Sequence, residues 1–268
     1  MTTLVLEKIW KEYGDQIVLE NIDITIESGS FVALVGPSGC GKTTLLKMLL
    51  GEERPTSGRI LLDGVPLKPE PDWDRGVVFQ RYSVFTHLTV LGNVLVGREF
   101  EKSRFLGRLF GTRREAAVED ARTLLKSVGL SDHEDKYPAA LSGGMQQRLA
   151  LAQALMRKPK VLLLDEPFGA LDPGIRAEVH ALMNELWVEQ GITVVMVTHD
   201  LSEAFRLGTR VIALERRRNR PEEKERYGAT VAHDIAVWPP KKKTKLNGSG
   251  IVTETQPLLA ADASAAVH

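Results

Sequence analysis

The chain has 268 residues, 43% of them apolar, with 35 basic side chains, 35 acidic ones and a single cysteine. That length buries a sizeable core in one large domain or two small ones, and a formal charge of zero excludes capture of nucleic acid by a global field, so any bound anion must be held by local geometry. Cys40 stands alone, which excludes an internal disulfide and points to a reducing compartment.

The opening MTTLVLEKIWKEYG has no basic segment followed by an apolar one and is not expected to be a signal peptide. Apolar runs stay short, none near the ~20 residues that span a bilayer, so the chain is expected not to cross a membrane by itself. Leu4, Leu6 and Ile9 begin one strand, and Ile22, Ile24 and Ile26 alternate with polar partners in the next, as half-buried antiparallel strands do. After the turn Ser28-Gly29-Ser30 comes a continuous apolar run, Phe31-Val32-Ala33-Leu34-Val35, the pattern of a strand buried on both faces. It leads into a glycine-rich loop and a helix over residues 44–50, closed by Gly51. Residues 76–79 read as a further strand. From Gln80 to Pro159 the chain turns mostly helical, with Ala117, Ala121, Leu124, Leu125 and Val128 on one face and Gly129 placed to end that helix. Two more buried strands follow, at 161–164 and 192–197, with a helix near 175–189 between them. Strand, helix, strand in that order predicts a parallel α/β core carrying an inserted helical subdomain at about 81–158. Residues 237–268, with WPPKKKTKLNGSG and an Ala/Ser-rich end, are expected to be disordered. No internal repeat is present, so one nucleotide site's worth of motif is expected.

Gly36-Pro37-Ser38-Gly39-Cys40-Gly41-Lys42-Thr43 fits the phosphate-binding pattern G-x-x-x-x-G-K-[ST], between a buried strand and a helix. Its glycines let backbone N–H groups face phosphate oxygens, and the helix that starts around Thr44 adds its positive end. Lys42 supplies a point charge for the β- and γ-phosphates, and Thr43 offers a hydroxyl to Mg²⁺. Cys40 is a small residue that fits the loop; its position predicts that a thiol reagent blocks ATP binding. Asp165-Glu166 ends a buried strand, where ligands of open α/β sheets collect. One acid there suits Mg²⁺ and its water shell, and the other suits polarising an attacking water. In Leu141-Ser142-Gly143-Gly144-Met145-Gln146-Gln147-Arg148, Ser142 is a good N-cap and Gly143 and Gly144 leave N–H groups free at a helix start, which makes a second anion site.

LSGGMQQR resembles the signature of ATP-binding cassette (ABC) ATPases, and the order phosphate loop, Gln80, signature, Asp165-Glu166, His199 is that family's order over roughly residues 4 to 236. The resemblance implies an α/β fold of the P-loop NTPase (RecA-like) type, with an N-terminal antiparallel β subdomain and the inserted helices, occupying residues 1–236. It further implies that Gln80 touches Mg²⁺ and the attacking water, that Asp172 in the D-loop segment Leu171-Asp172 crosses a dimer interface, that His199 faces the γ-phosphate, and that Tyr13 stacks on adenine. In the family the signature of one copy caps the ATP held by the other, so a head-to-tail dimer around two ATP molecules is expected, closing with ATP and opening after hydrolysis.

A motor without a membrane segment needs partners. Chains of this kind resemble bacterial importer ATPases, and FQRYSVFTHLTVLGNV resembles the group serving nitrate, sulfonate, taurine and related compounds. Thr86 stands where that group often has Pro, and Gly92 where it often has Glu. The resemblance implies two integral-membrane permease subunits, a solute-binding protein and a peripheral place on the cytoplasmic face of the inner membrane, with no nucleic acid as partner. The alternatives are an exporter or lipoprotein-release ATPase, or a soluble cassette ATPase acting on ribosomes or DNA; two cassettes or a long coiled-coil insertion, the marks of the soluble kind, are absent. Residues 100–110 read either as packing within the helical subdomain or as an interfacial helix. The basic runs 216–218 and 241–243 read as solvated charge, and Trp10, Trp73 and Trp187 as packing residues.

Overall fold

A turn at Gly14, where φ is 56°, folds β1 (Leu4–Tyr13) back on β2 (Gln16–Ile26) in the computed structural model, which describes residues 3–80, 84–102, 111–216 and 227–237. Leu4 pairs with Ile26 and Leu6 with Ile24, so the alternating apolar residues share one buried face. The alternation slips after Leu6 because Lys8 takes a positive φ of 48°. That bulge turns Lys8 outward and Ile9 inward, and Asp23 Oδ1 accepts the Lys8 N–H at 2.8 Å. On the other side of β1 lies β4 (Ser57–Leu62), extended by β5 (Val65–Pro66). This four-stranded sheet has the order β2-β1-β4-β5.

The second sheet has six strands in the order β10-β9-β3-β8-β7-β6. They are β3 (Phe31–Val35), β6 (Arg75–Val78), β7 (Val161–Asp165), β8 (Thr193–Val197), β9 (Arg210–Glu215) and β10 (Thr230–Ala236). All are parallel except β10, which runs antiparallel along β9. The continuous apolar run of β3 follows from burial on two faces. Phe31, Ala33 and Val35 enter one core with helices, whereas Val32 and Leu34 enter another with the antiparallel sheet. Helix α1 (Lys42–Leu50) lies in the second core through Leu45, Leu46 and Leu49. Its C-cap is Gly51 at φ 91°, whose N–H satisfies the Lys47 and Met48 carbonyls.

Between β6 and β7 the described residues are mainly helical: α2 (Val90–Lys102), α3 (Thr112–Ser127), α4 (Gly143–Leu155) and two short 3₁₀ turns. Ala117, Ala121, Leu125 and Val128 are buried and Leu124 packs against them, with Gly129 following at φ 71°. α5 (Pro173–Gln190) and α6 (Leu201–Leu207) complete the helical layer. Trp187 donates its indole N–H to Gly29 O at 3.0 Å and meets Phe31 edge-on, a packing role as expected.

α1 begins two residues earlier than the sequence pattern suggests, because polar residues at a helix start carry no apolar periodicity, whereas α4 starts directly after its expected cap, Ser142. β4, β5, β9 and β10 were not resolved by that pattern. No helix among the described residues is long and apolar enough to cross a membrane. Side chains of residues 100–110, the runs from 217 and from 241, and the tail from 238 onward lie outside the described residues.

Candidate active site

The phosphate loop leaves the carboxyl end of β3, and its course is dictated by glycines. A Cβ on Gly36, at φ 149°, would lie 2.2 Å from Leu214 O, and one on Gly41, at φ 95°, 2.7 Å from Leu19 Cδ2. Gly39, at φ 76°, faces open space, which leaves its backbone accessible to a ligand. We expect Gly36→Ala to lower stability by about 1–3 kcal/mol, read from urea unfolding, and to weaken ATP binding with it; an unchanged midpoint would contradict this contact.

Lys42, 6% exposed, donates its ammonium hydrogens to Gly36 O at 2.8 Å and Pro37 O at 2.9 Å. The charge therefore sits inside the loop, held by two of the loop's carbonyls and, at 3.9 Å, by Cys40 Sγ. Cys40 corrects one expectation. Its side chain is 2% exposed and belongs to the core beside Leu45 and Leu214, with its sulfur 3.9 Å from Lys42 Nζ on the inner side of the loop, so a thiol reagent is not expected to reach it.

Asp165 and Glu166 end β7. The Thr43 hydroxyl donates to Asp165 Oδ1 at 3.4 Å. Burial, joined by the neighbouring Glu166 charge, holds the Asp165 carboxyl above the ordinary aspartate range. Because the folded state binds that proton more tightly than the unfolded chain, the site's contribution is full in acid and is lost as pH rises through the raised value. Asp165→Asn in chelator is therefore expected to melt higher than the parent at pH 7, with the difference vanishing below about pH 4; equal melting at pH 7 would contradict it.

Glu166 holds a left-handed backbone at φ 46°, costly for a non-glycine residue, and its N–H donates to Val197 O at 2.9 Å. This turn aims its carboxylate across the ends of the strands. Gln80 Nε2 lies 3.4 Å and His199 Nδ1 3.3 Å from the same atom, Glu166 Oε2. His199 has a 65% exposed side chain, so its backbone places it. The following Asp200 caps α6, accepting from Ser202 N at 2.8 Å and Glu203 N at 3.3 Å.

Tyr13, at the end of β1, shares a 440 Å³ cavity with Ser38, Gly39, Gly41, Lys42, Thr43, Thr44 and Glu166. Lys11 Nζ stands 4.7 Å from the centroid of its ring, and its hydroxyl donates to Glu53. Burial, with the Glu53 charge, raises the Tyr13 hydroxyl above its ordinary range. Sequence reasoning missed Lys11 and Glu53, and also Gln16, Val18 and Arg216 in the lining, because their approach is set by chain pairing rather than by any local pattern. A separate cleft of 520 Å³, lined by Leu124, Leu155 and Ile192, contains none of the groups above.

Ser142 is the N-cap of α4 and accepts from Met145 N at 3.4 Å. Ser142 and Gly143 are exposed; Gly144 is buried against α5, where a Cβ would lie 2.3 Å from Ile175 Cγ2. Asp172, the exposed N-cap of α5, makes no side-chain capping bond. Neither Ser142, Gly143 and Gly144 nor Asp172 lines the cavity that holds the phosphate loop. The structure thus gathers Tyr13, the loop, Gln80, Asp165, Glu166 and His199 at one place, and leaves Ser142, Gly143, Gly144 and Asp172 outside it. Thr43 and Asp165 supply oxygen donors 3.4 Å apart, a set that fits a hard cation such as Mg²⁺.

A family model described as "ABC transporter" matches residues 19–169. The chain is 46% identical over 214 residues to the aliphatic sulfonates import ATP-binding protein SsuB of Pectobacterium atrosepticum, covering 80% of this chain and 74% of that protein. It is 42% identical over 242 residues to the protein of the same name from Zymomonas mobilis, covering 87% and 94%. The dimeric structure of a bacterial ABC transporter cassette superposes with a TM-score of 0.69 at 32% identity, over 87% of this chain and 98% of that one.

Proposed function

Because this chain belongs to the ABC transporter family, as an ATP-binding subunit and an ATP hydrolase coupled to transport, we propose that it is the motor of a multi-subunit importer and works as a head-to-tail pair of copies. The observation that carries this reading is that the start of α4 lies apart from the cavity of the phosphate loop. The phosphate loop and Glu166 share one cavity with Tyr13, while Ser142 and Gly143, exposed at the start of α4, lie outside it. A second copy, turned end for end, brings its signature to the first copy's phosphates, and Asp172 meets the partner at the same seam. The dimeric cassette that superposes on this chain supports such pairing.

Within one copy, Tyr13 stacks on the base and the loop from Gly36 to Thr44 grips the phosphates, with Lys42 exchanging its carbonyl bonds for phosphate oxygens. Thr43, Asp165 and Gln80 are the residues that would hold Mg²⁺, which when bound neutralises phosphate charge. Glu166 receives the proton of the attacking water, and Gln80 and His199, both directed at Oε2, orient that carboxylate. Loss of the terminal phosphate then removes the charge the partner's signature held, and the pair opens.

The relatives named for aliphatic sulfonate import support a small sulfonate, or a related nitrogen or sulfur compound, as cargo. Two integral-membrane permease subunits and a solute-binding protein complete the assembly, with this chain peripheral on the cytoplasmic face of the inner membrane. Reconstitution with the neighbouring permease genes tests this: ATP hydrolysis should rise when the liganded solute-binding protein is added with an aliphatic sulfonate. Failure to bind any permease pair would overturn the importer reading, and stimulation by an unrelated solute would overturn the cargo.

A further inference from the structure

Behind Glu166 lies a group of ionisable side chains, two of them buried, with no part in the chemistry above. Glu203 on α6 is 4% exposed and His180 on α5 is 5% exposed. The Thr198 hydroxyl donates to Glu203 Oε2 at 2.8 Å. Glu203 Oε1 faces His180 Nε2 at 3.5 Å and Arg176 Nε at 3.7 Å. The guanidinium of Arg176 reaches two further places, donating to Leu171 O at 3.1 Å and standing 3.7 Å from Asp200 Oδ2. The His180 ring meets Phe168 edge-on with centroids 4.5 Å apart.

Each anchor point of this group borders a residue of the site. Thr198 and Asp200 flank His199, Leu171 precedes Asp172, and Phe168 lies two residues beyond Glu166. A carboxylate taken this far from water is expensive even when paired, and apolar residues of the same volume commonly stabilise a fold more. Packing alone does not account for such a group, whereas its position does. His199 is exposed, so little holds its loop in place except Thr198, Asp200 and the bonds they make.

We propose that Glu203 and Arg176 are positioning residues that lock the loop carrying His199 to the loop carrying Asp172, so that the two take up their places around Glu166 together. A partner copy that moves the Asp172 loop would then move His199 as well, through Leu171 O, Arg176, Glu203 and Thr198. This rests on the roles proposed above for His199 and Asp172.

The test is a double-mutant cycle on the full chain, reading single-turnover rate and KM for ATP, with a thermal melt for each variant. Glu203→Gln keeps the acceptor for Thr198 and removes the charge that Arg176 faces. It should slow turnover by between about 10- and 100-fold and leave KM within about twofold. In a His199→Ala background it should cause no further loss, because a residue acting through His199 has nothing left to position. A full additive loss in that background, or a parental rate for the single variant, would overturn the proposal. A parental rate for His199→Ala would instead overturn the role of His199, and the proposal with it. If Glu203→Gln does not fold, Arg176→Gln enters the same cycle with the same expectations.

Discussion

Glu166→Gln is expected to slow ATP hydrolysis by about 10²–10⁴-fold, the usual loss for a general base, while ATP still binds and holds two copies together. The amide is isosteric and still offers an oxygen to Gln80 and His199, which lie 3.4 Å and 3.3 Å from the present Oε2. It cannot take a proton from water at neutral pH. None of the groups that hold the phosphates is touched, since the loop, Lys42 and Thr43 stay as they are. With hydrolysis stalled, the charge that clamps the two copies persists, so size-exclusion chromatography in ATP should show doubled mass for the variant and a shorter-lived dimer for the parent. Turnover at the parental rate would remove Glu166 from the chemistry. Loss of ATP binding would mean instead that the carboxylate holds the loop.

Lys42→Ala is expected to raise the dissociation constant for ATP by roughly 30- to 4,000-fold, the equivalent of losing about 2–5 kcal/mol when one member of a buried charged pair is removed. The ammonium is 6% exposed and is satisfied by Gly36 O and Pro37 O, so the loop already has a place for a positive charge in a medium less polar than water. Phosphate oxygens replace neutral carbonyls as its acceptors, and charge-assisted bonds are the stronger kind. Inorganic triphosphate should lose affinity in the same proportion, because the Lys42 ammonium acts on phosphate oxygens and not on the base. Calorimetric titration of both ligands checks this. An affinity within about threefold of the parent would show that the backbone N–H groups suffice, as helix-end anion sites sometimes do.

How much of this was legible beforehand depends on whether the signal was local. The run from Phe31 to Val35 announced a doubly buried strand because its odd and even residues enter different cores. The phosphate loop was equally plain, since glycine torsions and the strand-to-helix context lie within a dozen residues. β10 was missed because the described part of its pattern, Thr230 to Ala236, is half-exposed and pairs with a strand some twenty residues earlier. Lys11 and Glu53 were missed because they reach Tyr13 only after β1, β2 and β4 have paired. The cluster at Glu203 gave no sign at all: its members belong to two helices and two loops, and only packing brings them together. Cys40 fits the loop as a small residue, and only its burial was not legible, because a motif fixes backbone positions and does not tell how much of a side chain the surrounding core covers.

The bare Cα of Gly144 against Ile175 has a mechanical meaning. It seats the start of α4 directly on the first turn of α5, and the salt bridge of Arg148 with Glu178, at 2.7 Å, pins the next turn. Ser142 and Asp172, the caps of those two helices, are thereby fixed to one ledge and not to two independent arms. An approaching copy would meet both caps on one edge, so that a shift given to one would carry to the other.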